Sequence, residues 1–175
     1  MKKGGKGGSN TLTGLKFEKR ADVLNAFDNL DDYEVKGEEL IFKGKVVANV
    51  YKQYGFYNIF LKNHKIDWQK YFTKRLIPDQ AIFVLKTNKL YIIEMKFQKG
   101  AGSVDEKLQT CDFKRKQYQK LILDTGIKVE YYYILSDWFK KPLYKDVLKY
   151  IKLAGCDYFF EELPFVVLGL PEPES

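Results

Sequence analysis

Two apolar runs joined by a single polar dipeptide constrain this chain more than any other feature. They are AIFVLK at 81–86 and KLYIIEMK at 89–96, with Thr87-Asn88 between them. β-Branched and aromatic residues dominate both, and a turn-forming residue sits at the junction, which predicts an antiparallel hairpin. Residues two apart on a strand share a face. Leu90, Ile92, Glu94, Lys96 and Gln98 therefore line one side of the second run, and Tyr91, Ile93, Met95 and Phe97 the other. Both sides are apolar over the first half, as expected of a central strand covered on each face. A charged pair emerging from such a strand is costly unless it meets solvent, a partner or a metal.

The flanking sequence supplies further elements. Thr11 or Thr13 is placed to cap a helix running to about Leu30, with Leu15, Ala21, Leu24, Phe27 and Leu30 at roughly helical spacing. YEV, ELIF, KVVANVY and FYNIFL, between 33 and 61, are β-prone and are punctuated by Lys36-Gly37, Lys43-Gly44 and Tyr54-Gly55. That predicts a meander of three or four strands. WQKYFTKRL, 68–76, reads as a short helix leading to Pro78. Ser103-Val104-Asp105-Glu106 is a capping box, opening a helix to about Leu123 that ends at Asp124-Thr125-Gly126. KVEYYYIL, 128–135, reads as a strand whose tyrosines pack. A helix over 142–153 carries Leu143, Val147, Leu148 and Ile151 on one face, and 158–160 is a last short strand. The strand-helix-strand step from 89 to 135 is long enough for a right-handed crossover. The expected class is α/β (α+β): one domain, 1–175, with a central mixed sheet flanked by helices, an N-terminal helix and a β-meander. Residues 1–10 form a flexible basic glycine-rich arm, and 171–175 a loose acidic tail.

Composition narrows the chemistry. A net charge of +7 over 175 residues favours a polyanionic partner. One histidine, His64, in a polar turn, removes multi-histidine metal sites and most His-based catalysis. Two cysteines, Cys111 and Cys156, stand far apart in sequence and outside any CxxC spacing, which argues against zinc and disulfide frameworks and suits a reducing cytoplasm. No apolar run approaches the length of a membrane span, and no secretory signal is evident, so an intracellular protein without a membrane partner is expected.

The strand ends carry the candidate chemistry. With a Thr87-Asn88 turn, residues whose numbers sum to about 175 lie opposite one another. Asp79 then falls across from Lys96, and Glu94 near Ala81, so two carboxylates and one ammonium gather. Such a cluster suits Mg²⁺, a hard ion usually held by one or two carboxylates together with waters and a substrate phosphate. Asp79 and Glu94 are the candidate metal ligands. Lys96 is the candidate to orient or deprotonate an attacking water, or to stabilise developing charge.

Pro78-Asp79, fourteen intervening residues and Glu94-Met95-Lys96 resemble the PD-(D/E)XK signature of the restriction-endonuclease-like nuclease superfamily. The resemblance covers the motif and the element order over roughly 77–135. It implies a restriction-endonuclease-like core with the motif on a central hairpin, and a Mg²⁺-dependent DNA nuclease, with Mn²⁺ able to substitute. It also implies Asp79 and Glu94 as metal ligands and Lys96 as the catalytic lysine. Glu18, on the expected first helix, is a candidate for the additional glutamate that many members carry, and Gln98 for support of the site.

Lys114, Gln117 and Tyr118 share a helical face placed to touch phosphates or to hold the attacking water near Lys96; with Lys107 they are candidate DNA contacts, as are Lys3 and Lys6 of the arm. The expected activity is that of a type II restriction endonuclease acting on double-stranded DNA. A chain of this size with one site cuts one strand, so a double-strand break favours a homodimer. Three alternatives stay open: a junction-resolving nuclease of the same superfamily, a non-catalytic nucleic-acid-binding module, and an interaction protein with no anionic partner.

Overall fold

The computed structural model describes residues 14–16, 23–98 and 104–174. Its first element, β1 (Gly14–Lys16), is a strand where a helix was expected. It pairs antiparallel with the late strand β9 (Glu162–Pro164), setting Leu15 opposite Leu163. Burying these two leucines, 2% and 0% exposed, outweighs the local helical spacing, which Gly14 already weakens. Among the described residues of the expected helix, Val23–Asp28 is helical, as α1, and it buries Val23 and Phe27; residues 11–13 and 17–22 lie outside the described residues.

The meander forms as β2 (Tyr33–Lys36), β3 (Glu39–Phe42) and β4 (Lys45–Lys52). Lys43 and Gly44 both take positive φ, 46° and 79°, closing a two-residue β3–β4 hairpin of the hand that strand twist favours. Its expected fourth strand, FYNIFL, is instead a π-helical segment, Phe56–Leu61. Phe56, Tyr57, Phe60 and Leu61 are its buried residues, two adjacent pairs four apart, a helical spacing that no alternating strand could bury together. Trp68–Lys70 forms a single 3₁₀ turn rather than a nine-residue helix.

Next come β5 (Gln80–Val84) and β6 (Lys89–Lys96), antiparallel, then α2 (Val104–Leu108), α3 (Cys111–Leu121) and β7 (Lys128–Leu135). The expected continuous helix is thus broken at Gln109-Thr110. β7 runs parallel to β6, so the crossover exists. A 3₁₀ turn, Pro142–Tyr144, precedes α4 (Lys145–Leu153), and β8 (Asp157–Phe160) adds parallel to β7. α5 (Phe165–Leu168) follows β9.

The main sheet has seven strands in the order β2-β3-β4-β5-β6-β7-β8, antiparallel to β6 and parallel beyond it. It is the mixed sheet with helices of an α+β fold. One face packs on the π-helical segment, α3 and α4 through Phe56, Phe60, Tyr118, Leu121 and Ile151. The other packs on α1, α5 and the β1–β9 pair through Val23, Phe27, Leu163 and Phe165. Tyr131 and Tyr133 are fully buried, as packing residues should be.

Cys111 and Cys156, distant in sequence, are neighbours in the fold. Both are free and buried, and a hydrogen bond from Cys156 holds the Cys111 thiol below its usual range. Residues 171–174 lie against the sheet rather than loose. Pro171 accepts from the Tyr33 hydroxyl, and Glu174 pairs with Lys43. The arm at 1–10, Lys3, Lys6, Glu18 and Ser103 lie outside the described residues. Among the described residues, no helix is long and apolar enough to cross a membrane.

Candidate active site

The β5–β6 hairpin turns over four residues, 85–88, not two, with Asn88 at φ 51°. Val84 pairs with Lys89 and Gln80 with Ile93, so facing residues sum to 173. The shift of two preserves every face, because the side-chain period is two. It brings Asp79, the residue before β5, level with Glu94 rather than Lys96.

The three expected residues meet. Lys96 Nζ donates to Glu94 Oε2 at 2.9 Å and stands 3.8 Å from Asp79 Oδ2. Asp79 is fixed by its own carboxylate: Oδ2 accepts from the Met95 amide at 2.8 Å. Its backbone carbonyl accepts from Gln53 N at 3.2 Å, tying the approach to β5 to the end of β4. Past Lys96 the strand is pinned by Ser136, whose Oγ accepts from Gln98 N and donates to Gln98 O, each at 3.1 Å. Both contacts hold the backbone of Gln98, two residues past the end of β6.

A fourth group, which spacing alone did not assign to this cluster, comes from the helix above. Lys114 of α3 places Nζ 3.2 Å from the same Glu94 oxygen. Glu94 is 4% exposed, and two ammoniums on one oxygen compensate the loss of water around its charge. Lys114 thus pairs with Glu94 beside Lys96, on the face expected to touch phosphates or hold the attacking water. Tyr118, one turn later, is no DNA contact: it is 1% exposed and its hydroxyl donates to Leu76 O at 2.8 Å. Gln117 is half-buried and Lys107 exposed.

Asp79 and Lys96 open into a cleft of about 570 Å³, lined also by Gln53, Gln80, Met95, Phe97 and Lys107. Tyr133 seats α2 beside it by donating to the Lys107 carbonyl at 3.1 Å. Sequence reasoning passed over Gln53 and Gln80. Gln53 adopts φ 40° at the end of β4, and the Tyr54-Gly55 break beside it was the available signal. Gln80 is buried and accepts from the Val23 amide at 3.1 Å, joining α1 to the hairpin. The phenols of Tyr118 and Tyr131 are raised far above their ordinary range, first by burial and next by the charge of Glu94. They stay protonated in ordinary buffers and do not act as acids.

Among the described residues, no group of three or more His, Cys, Asp or Glu could hold a metal ion. Two carboxylates remain, the number that a Mg²⁺ site completed by water and substrate phosphate uses. Their oxygens converge on one ammonium, so a cation already occupies the space between them. Two carboxylates are donors of the kind that a hard divalent ion takes. No known protein family, curated protein or solved structure matches the chain.

Proposed function

We propose that this chain is a Mg²⁺-dependent DNA endonuclease of the restriction-endonuclease-like type, cutting duplex DNA at a specific sequence. One observation carries the reading: Asp79, Glu94 and Lys96 meet at the end of a central strand, with 2.9 and 3.8 Å separating the lysine from the two acids. A buried acid, a half-exposed acid and an ammonium at the lip of a polar cleft suit hydrolysis of a phosphodiester better than binding alone.

Asp79 and Glu94 would hold the ion, which when bound supplies polarisation of a phosphate oxygen and acidification of water. The residues do the rest. Lys96, anchored by Glu94, orients the attacking water in line with the leaving oxygen and offsets the negative charge that develops on the phosphate. Lys114 keeps Glu94 aimed. The Met95–Asp79 hydrogen bond sets the spacing of the two carboxylates, so attack proceeds from a fixed geometry.

Digestion of supercoiled plasmid in Mg²⁺ against EDTA tests this. The expected result is discrete fragments in Mg²⁺ or Mn²⁺ only, with ends that share one sequence. Binding without cutting in either metal would leave a nucleic-acid-binding module, and preferential cutting of four-way junctions would select a structure-specific nuclease. A double-strand break further calls for two copies. Sedimentation should show a dimer on DNA, and monomer alone, with and without DNA, would remove that part.

A further inference from the structure

The connection between Leu61 and Asp79 is a strongly cationic exposed stretch. Lys62, Lys65, Lys70, Lys74 and Arg75 all face solvent, and Asp67 is the single acid among them. Asp67 is spent on the backbone, accepting from the Gln69 amide at 3.2 Å to start the 3₁₀ turn. Several exposed lysines elsewhere are answered: Lys43 by Glu174, Lys116 by Asp112, Lys140 by Asp137 and Lys152 by Asp157. Among the described residues, no ion pair engages any of the five cations of the connection.

The connection is also held in place. Arg75 lies over two rings, 5.0 Å from the Trp68 centroid and 5.5 Å from that of Tyr57. Leu76 is held through both its amide and its carbonyl. Its amide donates to the Tyr57 hydroxyl at 2.8 Å, and its carbonyl accepts from Tyr57 and Tyr118 at 2.9 and 2.8 Å. Tyr118 stands one turn along α3 from Lys114, which touches Glu94. The cationic stretch is therefore fastened to the wall of the candidate site. Arg75 is four positions before Asp79, a reach of at most about 14 Å.

Five unanswered charges on an anchored stretch suit the repeated phosphates of a nucleic-acid strand. They do not suit a lipid surface, which needs an apolar face to bury. Ile66, Trp68, Tyr71 and Phe72 point into the core, and none of the large exposed hydrophobic residues lies between 62 and 78. Resting on the nuclease reading, we propose that residues 62–75 are the track along which the DNA backbone runs into the Asp79–Glu94–Lys96 cluster.

The test is binding of the full chain to a short duplex in EDTA across a series of salt concentrations. Lys62→Ala/Lys65→Ala and Lys70→Ala/Lys74→Ala are compared with Lys86→Ala/Lys128→Ala at the opposite end of the β6–β7 strands; Arg75 is kept because it is stacked. Each track pair should make the slope of log K against log salt shallower by about 1.8, equivalent to a roughly tenfold smaller affinity loss over a fourfold rise in salt. The control pair should leave both the slope and the cleavage unchanged. Track variants that keep the parental slope overturn the track while leaving the nuclease reading intact. Shallower slopes in a protein that cuts no DNA in Mg²⁺ or Mn²⁺ uphold the surface and sink the nuclease. Binding to phosphatidylserine vesicles with no salt-dependent binding to duplex overturns the proposal.

Discussion

Glu94→Gln should lower plasmid cleavage by about 10³-fold or more while the protein still folds and still binds DNA. Glutamine keeps the shape of the side chain and removes its charge. The carboxylate is the buried partner of two ammoniums, at 2.9 Å from Lys96 and 3.2 Å from Lys114. Without it the cleft gains one net positive charge, and both lysines retain a route to solvent. Metal-free affinity for duplex DNA should therefore hold or rise, opposite to the result of damaging a binding surface. Asp79→Asn should lose cleavage similarly. Its amide oxygen can still accept from Met95 N, so the hairpin should be undisturbed. Lys96→Ala should remove cutting while leaving both metal ligands, so it should still bind the metal. Plasmid digestion, fluorescence anisotropy and circular dichroism on the three variants decide this. Parental cutting by any of them would remove the role assigned to that residue.

The site was legible because strand periodicity is robust to the error made in reading it. Leu85 and Lys86 extend an apolar run, so the turn looked two residues long. The chain instead turns over 85–88, and the register differs by two. An error of two leaves Glu94 and Lys96 on the same face, and an error of one would have hidden the cluster. FYNIFL failed for a different reason. Its aromatic and β-branched residues favour strands, but its pairing of buried neighbours at 56, 57, 60 and 61 is helical, and tertiary burial overrode propensity. β1 could not be read from its own sequence at all. Leu15 takes its conformation from Leu163, and no local pattern reports a partner so far along the chain. Lys114 lay between. Its helical face was readable, but its contact with Glu94 depends on how α3 crosses the sheet.

The misread segment yields the largest expected stability effect. Phe60→Ala should destabilise the fold by about 3–5 kcal/mol, a large share of the roughly 5–15 kcal/mol typical of a domain. Phe60 is fully buried. Its ring stacks on Phe56 at 5.3 Å and meets Tyr51 at 5.4 Å, Phe83 at 5.7 Å and His64 at 4.3 Å. These contacts come from β4, β5 and the π-helical segment together, so the cavity left by alanine cannot be filled by moving one element. Tyr54→Ala, just before the segment and 51% exposed, should stay within about 0.5 kcal/mol. Urea unfolding separates the two, with a lower midpoint at unchanged slope expected for Phe60→Ala. The helical geometry also makes a relative prediction. Asn58 would share a buried face with Phe56 and Phe60 in a strand, yet it is exposed here. Asn58→Ala should therefore be close to neutral, and a loss comparable to that of Phe60→Ala would restore the strand that the sequence suggested.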